Sequence, residues 1–99
     1  MTIATSTEEG KTTMVIEGHV NTTTAPDLDA ALVTQLNAGN DLVLDFSEIA
    51  YVSSAGLRAL LNAQKLANKN GKTMLIKNAS DDVVEVFEMT GFIDILNVE

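Results

Sequence analysis

The sequence predicts an α/β domain in which helices pack on a mixed β-sheet. Two threonine-rich, β-branched segments come first, and segments of helical and strand character then alternate to the C terminus. Apolar residues make up 45% of the 99 residues and charged residues 20%, as in ordinary globular domains. A chain of this length commonly forms one core, so we expect a single domain over residues 1–99.

A β-hairpin opens the predicted fold. Residues 3–7 and 12–20 have strand composition, and Glu9-Gly10 between them suits a tight turn. Side chains alternate between the two faces of a strand, which places Met14, Ile16, Gly18 and Val20 together. We expect this face of the second strand to be buried.

The first helix is predicted over residues 26–37. Thr24 is in position to be its N-cap, with Pro26 in the first turn and Asp27 at an approximate capping-box position. Apolar residues follow at helical spacing, and Gly39 ends the pattern.

Residues 42–44 (Leu-Val-Leu) form a continuous apolar run, which favours a central strand covered on both faces. We expect this strand to lead through a loop into a second helix over residues 54–70, which are rich in alanine and leucine and precede Gly71.

The remaining elements are a strand at residues 73–77, a helix between Ser80 and Gly91, and a strand at residues 92–96. The complete order is β-β-α-β-α-β-α-β. Strands that are joined through helices should run parallel.

The charge and composition exclude several classes of protein. The net charge is −8 with only six basic residues, so a nucleic acid backbone would be repelled. Without cysteine there is no disulfide, thiolate zinc site or cysteine nucleophile. No apolar run approaches the ~18 residues that span a bilayer, and no export signal begins the chain. We expect a cytoplasmic protein of bacterial type without membrane insertion.

Few residues could support catalysis. His19 is the only histidine, so a small hydrolase that uses it as base is the one enzymatic alternative. Acids such as Asp27 and Asp81 lie near helix starts, where the helix dipole favours a carboxylate in any protein. There is no glycine-rich phosphate loop and no set of metal ligands at suitable spacing. The sequence therefore predicts a non-enzymatic protein with no cofactor and no metal.

Ser53 and Ser54 stand out because they lie at the predicted N terminus of the second helix. Unpaired backbone N–H groups and the positive end of the helix dipole favour any negative group there, including a covalently attached phosphate. The alternative interpretation is that one of the two serines is only an N-cap.

Three stretches of sequence resemble the STAS domain of anti-sigma factor antagonists. They are Gly-His-Val-Asn-Thr-Thr-Thr-Ala-Pro at residues 18–26, Leu-Val-Leu-Asp-Phe-Ser at residues 42–47, and Tyr-Val-Ser-Ser-Ala-Gly-Leu at residues 51–57. The likeness spans nearly the whole chain and includes the order of the elements. It implies a STAS-like mixed sheet and a protein that acts in transcription regulation by protein–protein interaction.

In that family, the antagonist binds an anti-sigma factor that is also a serine kinase, and thereby frees a sigma factor; phosphorylation reverses the binding. The family's acceptor follows an aspartate in an Asp-Ser-Ser/Thr-Gly pattern, so the resemblance implies that Ser54 is the phosphoacceptor of a phosphoprotein. It also implies a partner-binding surface that comprises Asn21, Thr22, Ser53, Ser54, Ala55, Gly56 and Arg58. A serine phosphatase is a further candidate partner.

Three residues depart from the family's pattern. Ser53 stands where an aspartate is usual, Ala55 replaces a second hydroxyl, and Asn21 replaces another aspartate. These changes keep the acceptor hydroxyl but remove two carboxylates. The alternative function is therefore a constitutive structural STAS subunit of a transporter or other multiprotein assembly, which would bind through the same surface without a kinase.

Overall fold

The computed structural model describes residues Met1–Glu99 and has three α-helices and one five-stranded sheet. The strands are β1 (Thr2–Glu8), β2 (Lys11–Val20), β3 (Asp41–Val52), β4 (Met74–Lys77) and β5 (Asn97–Val98). The helices are α1 (Ala25–Asn37), α2 (Ser54–Lys69) and α3 (Asp81–Thr90). The strand order is β1-β2-β3-β4-β5. The predicted fold class and element order are confirmed.

The sheet is mixed because only the first pair of strands is antiparallel. β1 and β2 form a hairpin that pairs Glu8 with Lys11, whereas β2, β3, β4 and β5 run parallel to one another. Glu9 and Gly10 both have positive φ, of 50° and 77°. This is the backbone of the two-residue turns that match the twist of a hairpin, so the predicted turn at these residues is confirmed.

The core lies between one face of the sheet and the three helices. On β2, Met14, Ile16 and Val20 are buried, as predicted from the alternation of the strand. The helices contribute a set of buried apolar side chains to the same core, namely Leu28, Leu32, Leu36, Leu57, Leu60, Ala63, Ala67, Val83 and Phe87. Burial of this apolar surface is the main favourable term for the fold. None of the helices is long and apolar enough to cross a bilayer.

The loop predicted between the third strand and the second helix is wrong, because β3 continues to Val52. Its pairing with β2 is interrupted by two register shifts, between Val15 and Glu17 and between Gly18 and His19. Such bulges let a strand bend and change which side chains face inward. The polar residues of this segment are therefore exposed parts of a bulged strand.

The predicted strand at residues 92–96 is also wrong. Gly91 ends α3 with a φ of 79°, and residues Phe92–Asp94 form a 3₁₀ turn. The backbone N–H groups of Ile95 and Leu96 both donate to the carbonyl of Phe92, at 3.0 and 2.8 Å. The apolar side chains pack on the core from this turn, and pairing with β4 begins only at Asn97.

Candidate functional site

The predicted site lies where β2 and β3 end and α2 begins. Because the two strands are parallel, their C-terminal ends meet at one edge of the sheet, with Val20 in register with Val52. The next backbone N–H along, that of Ser53, donates to the carbonyl of Val20 at 2.7 Å. This hydrogen bond holds the residues after β2 directly beside the start of α2.

The two serines at this position have different environments. Ser53 is the N-cap of α2, since its backbone is extended and its Oγ accepts a hydrogen bond of 3.2 Å from the N–H of Gly56. Ser54 is the first residue of the helix and is exposed. The N-cap interpretation therefore applies to Ser53, and the hydroxyl of Ser54 faces solvent.

Asn21 organises the loop between β2 and α1. Its Oδ1 accepts hydrogen bonds from the N–H groups of Thr23 and Thr24, at 3.0 and 3.1 Å, and its carbonyl accepts one from Ala25 at 2.8 Å. These hydrogen bonds pair backbone donors just before and at the start of α1, where a helix leaves its first N–H groups without an internal partner.

Thr24 occupies the N-cap position of α1, as predicted, but its side chain makes no capping hydrogen bond. Thr24 already has a helical backbone, and its Oγ1 donates to the carbonyl of His19 at 2.9 Å instead of accepting from the helix. Asn21 supplies the side-chain acceptor at this helix start, three residues earlier than the sequence suggested. Asp27 lies in the first turn of α1.

Gly56 lets α2 approach the sheet closely. A Cβ on this residue would lie 2.7 Å from Val20 Cγ1, 3.0 Å from Val52 Cγ1 and 3.2 Å from the Val20 carbonyl oxygen. Side chains cannot come so near without displacing their neighbours. The glycine therefore fixes the position of Ser53 and Ser54 relative to the end of β2.

The predicted site residues differ in exposure. Thr22, Ser54 and Arg58 are exposed, Asn21, Ser53 and Ala55 are half-buried, and Gly56 is buried. The exposed members are available to a partner molecule. The others shape the backbone that presents them.

A shallow groove of about 200 Å³ lies between the first turns of α1 and α2. It is lined by Thr22, Ala25, Pro26, Asp29, Ala55, Arg58, Ala59 and Asn62. Three of these were predicted as site residues from the sequence. The other five were missed, although their spacing of three and four residues along each helix could have indicated them.

The start of α2 is electrostatically suited to an anion. Its first turn contains no acidic residue, and Arg58 follows Ser54 by one helical turn. The positive end of the helix dipole adds to this character. No group of three histidine, aspartate or glutamate side chains could hold a metal ion.

A family model described as "Mlab, STAS domain" matches residues 3–97 of the chain. The chain is 38% identical over 92 residues to BtrV of Bordetella bronchiseptica, provisionally named an anti-sigma factor antagonist; the alignment covers 91% of this chain and 78% of BtrV. It is 29% identical over 83 residues to the anti-sigma-B factor antagonist of Bacillus subtilis, covering 84% of this chain and 76% of the relative.

Among solved structures, the anti-sigma factor antagonist SpoIIAA in its unphosphorylated form matches with a TM-score of 0.83. The match covers 99% of this chain and 88% of SpoIIAA, at 14% sequence identity. At that level of identity the likeness is one of fold.

Proposed function

This chain belongs to the STAS domain family, and we propose that it is a single-domain anti-sigma factor antagonist of the cytoplasm. In this role it binds an anti-sigma factor that is also a serine kinase and thereby releases a sigma factor. The names of BtrV and of the Bacillus subtilis relative support the role. The observation that carries the proposal is the exposed Ser54 hydroxyl at the start of α2, beside the loop after β2.

The proposed binding surface uses its residues in two ways. Thr22, Ser54 and Arg58 are exposed and would contact the anti-sigma factor directly. The remaining members would hold the surface in shape: Asn21 orders the loop after β2, Ser53 caps α2, Ala55 lines the groove, and Gly56 permits the close approach of the helix.

We propose that phosphorylation of Ser54 switches the binding off. A phosphoserine carries about −1.5 to −2 charges at pH 7. At the start of a helix such a charge is stabilised by roughly 0.3–1 kcal/mol, so the fold should survive the modification. No carboxylate lies in the first turn of α2 to oppose it.

The effect of the phosphate should therefore appear in binding and not in folding. Like charges that face each other across an interface cost several kcal/mol, and every ~1.4 kcal/mol changes the affinity tenfold. Loss of the complex is the expected result. A serine phosphatase would restore binding by removing the charge.

The direct test is to incubate the protein with the anti-sigma factor kinase encoded in the same genome. Without ATP the two should elute together on gel filtration. With ATP the intact mass should rise by ~80 Da, with the modification at Ser54, and the complex should dissociate. An unchanged mass together with separate elution overturns the proposal. Ser54→Ala is the matched control, which should bind but not be modified.

A constitutive structural subunit of a transporter or other assembly is the second candidate. It is favoured by the absence of carboxylates at Asn21 and Ser53, whose side-chain oxygens instead accept hydrogen bonds from nearby backbone N–H groups. In that case the same surface binds permanently and no kinase acts on it. Wild-type behaviour of Ser54→Glu in cells would favour this function over the switch.

A further inference from the structure

A second surface, which adjoins the Ser54 site at the end of β3, exposes large apolar side chains. Tyr51 near the end of β3 is 52% exposed, and Met89 on α3 is 79% exposed. Single exposed apolar residues are common in proteins, whereas a continuous apolar patch indicates a binding surface. Other apolar residues near Tyr51 and Met89 therefore decide whether this part of the molecule is a binding surface.

A small groove lies beside Tyr51. It has a volume of about 60 Å³, lies between the end of β3 and the first turns of α3, and is lined by Ala50, Tyr51, Val52, Asp82, Val83 and Val86. Met89 follows Val86 by three residues, which places it on the same side of α3. We call the six lining residues and Met89 the α3 surface. Only Asp82 among them is charged.

The charges on α3 itself have one sign. α3 carries Asp81, Asp82, Glu85 and Glu88, all exposed, and has no basic residue. An apolar groove beside several carboxylates is complementary to an apolar side chain flanked by lysine or arginine. The charge pattern therefore favours a ligand that combines apolar and basic side chains.

We propose that the α3 surface binds a basic amphipathic segment of a partner protein. An apolar side chain of that segment fills the groove between Tyr51 and Val86, and its cations face Asp82 and Glu85. Recognition of this kind, in which the apolar face of a helix lies in a groove, is common among proteins. The binding does not involve Ser54 and so goes beyond the proposed function.

Other occupants fit the surface less well. Nucleic acid and anionic lipid headgroups carry phosphates, which the carboxylates of α3 repel. A second copy of this chain carries the same net charge of −8 and has only six basic residues to offer. A basic protein segment has the complementary charge.

The test is an NMR titration of the ¹⁵N-labelled protein with a synthetic amphipathic peptide of leucine and lysine. The amide shifts should change at the α3 surface, and the same peptide with glutamate in place of lysine should not bind. Changes centred elsewhere, or binding of the glutamate peptide, overturn the proposal. Shifts at this surface that depend on protein concentration without peptide indicate self-association and also overturn it.

Two pairs of variants separate local recognition from general attraction to an acidic protein. Asp82→Asn with Glu85→Gln should weaken peptide binding about tenfold, whereas Glu8→Gln with Glu9→Gln on the β1–β2 hairpin, an equal change of charge, should weaken it less than about twofold. Equal effects of the two pairs contradict the proposal.

Met89→Ser should also weaken binding of the peptide. Ser54→Ala, which cannot be phosphorylated and adds no charge, should leave peptide binding unchanged, and this keeps the test independent of the switch.

Discussion

Val20 and Gly56 lie so close that a Cβ on Gly56 would stand 2.7 Å from Val20 Cγ1. One residue ends β2 and the other lies in the first turn of α2, so their contact joins the two halves of the proposed binding surface. Ser54 is two residues before this contact and Asn21 is one residue after it. The distance between the loop after β2 and the start of α2 thus depends on residue 56 being glycine, which has no side chain.

Gly56→Ala should destabilise the protein by roughly 1–3 kcal/mol, because the added methyl group must displace Val20 or Val52. Urea unfolding measures the effect. Val20→Ala should remove part of the clash, so the double variant should be more stable than the sum of the two single effects predicts. Simple additivity would show that the two side chains do not compete for the same space.

Ser53→Ala should cost about 1 kcal/mol of stability, because the N–H of Gly56 loses its side-chain acceptor. Ser54→Ala should change the stability by less than about 0.5 kcal/mol, since Ser54 is exposed. Thermal unfolding of the two variants side by side gives the comparison. A larger effect at Ser54 than at Ser53 would contradict the assignment of the cap. Ser53→Asp should retain the stability, because aspartate is also a good N-cap.

Gln64→Met should leave the stability unchanged or raise it by up to about 1 kcal/mol. Gln64 is 2% exposed, and its Oε1 is buried without a hydrogen-bond partner. An unpaired buried carbonyl is unfavourable, whereas methionine fills a similar volume without a polar atom. The substitution removes the hydrogen bond from Nε2 to Asn68 Oδ1, but Asn68 is exposed and can bond to water. A loss of more than about 1 kcal/mol in urea unfolding would contradict this reasoning.

Two aspartates should make the stability depend on pH in the acid range. The backbone N–H of Thr73 donates to Asp41 and lowers the pKa of that carboxyl; the N–H of Ser47 does the same for the pKa of Asp45. A lowered pKa in the folded state means that the unfolded chain binds protons first as the pH falls. The contribution is therefore complete above the ordinary aspartate range of about pH 4 and is lost as the pH falls through the folded pKa values.

Asp41→Asn combined with Asp45→Asn should make the decrease of Tm between neutral and acid pH shallower than in the wild type. Both asparagines can still accept a hydrogen bond, so the variant isolates the effect of charge. Glu8→Gln with Glu9→Gln removes the same number of charges elsewhere and is the control. A decrease as steep as that of the wild type would show that the two hydrogen-bonded carboxylates do not contribute to the acid transition.

The order and direction of the elements could be predicted because each depends on local sequence. The hairpin turn at Glu9 and Gly10 needs positive φ at both positions, and the stop at Gly91 needs the left-handed backbone that glycine adopts readily. In the helical segments, apolar residues recur every three to four positions, and only a helix places residues at this spacing on one buried face. Such signals are present within about ten residues of sequence.

The errors occurred where tertiary contacts outweigh local pattern. Apolar residues at 92–96 have strand composition, but they follow the left-handed Gly91 and pack on the core as a turn. The bulged second half of β3 shows no strict alternation, so its polar residues suggested a loop. Thr24 is the N-cap of α1, but its hydroxyl donates to the carbonyl of His19, and the side-chain acceptor at this helix start is Asn21.

The candidate site could be predicted in part. The hydroxyls at the start of α2 are visible in the sequence. The requirement for glycine at position 56 is not, since it comes from contact with Val20 of β2. The spacing along each helix could have indicated the faces that carry Asp29 and Asn62, whereas the groove between these faces depends on the tertiary packing of α1 against α2.

The central claim is that negative charge at Ser54 decides whether the anti-sigma factor binds. Ser54→Glu and Ser54→Gln have nearly equal volume and differ in charge, so isothermal titration of both against the anti-sigma factor isolates the electrostatic effect. We expect Ser54→Glu to bind at least about tenfold more weakly than Ser54→Gln, while both unfold at similar temperatures. Equal affinities for the two variants would contradict it.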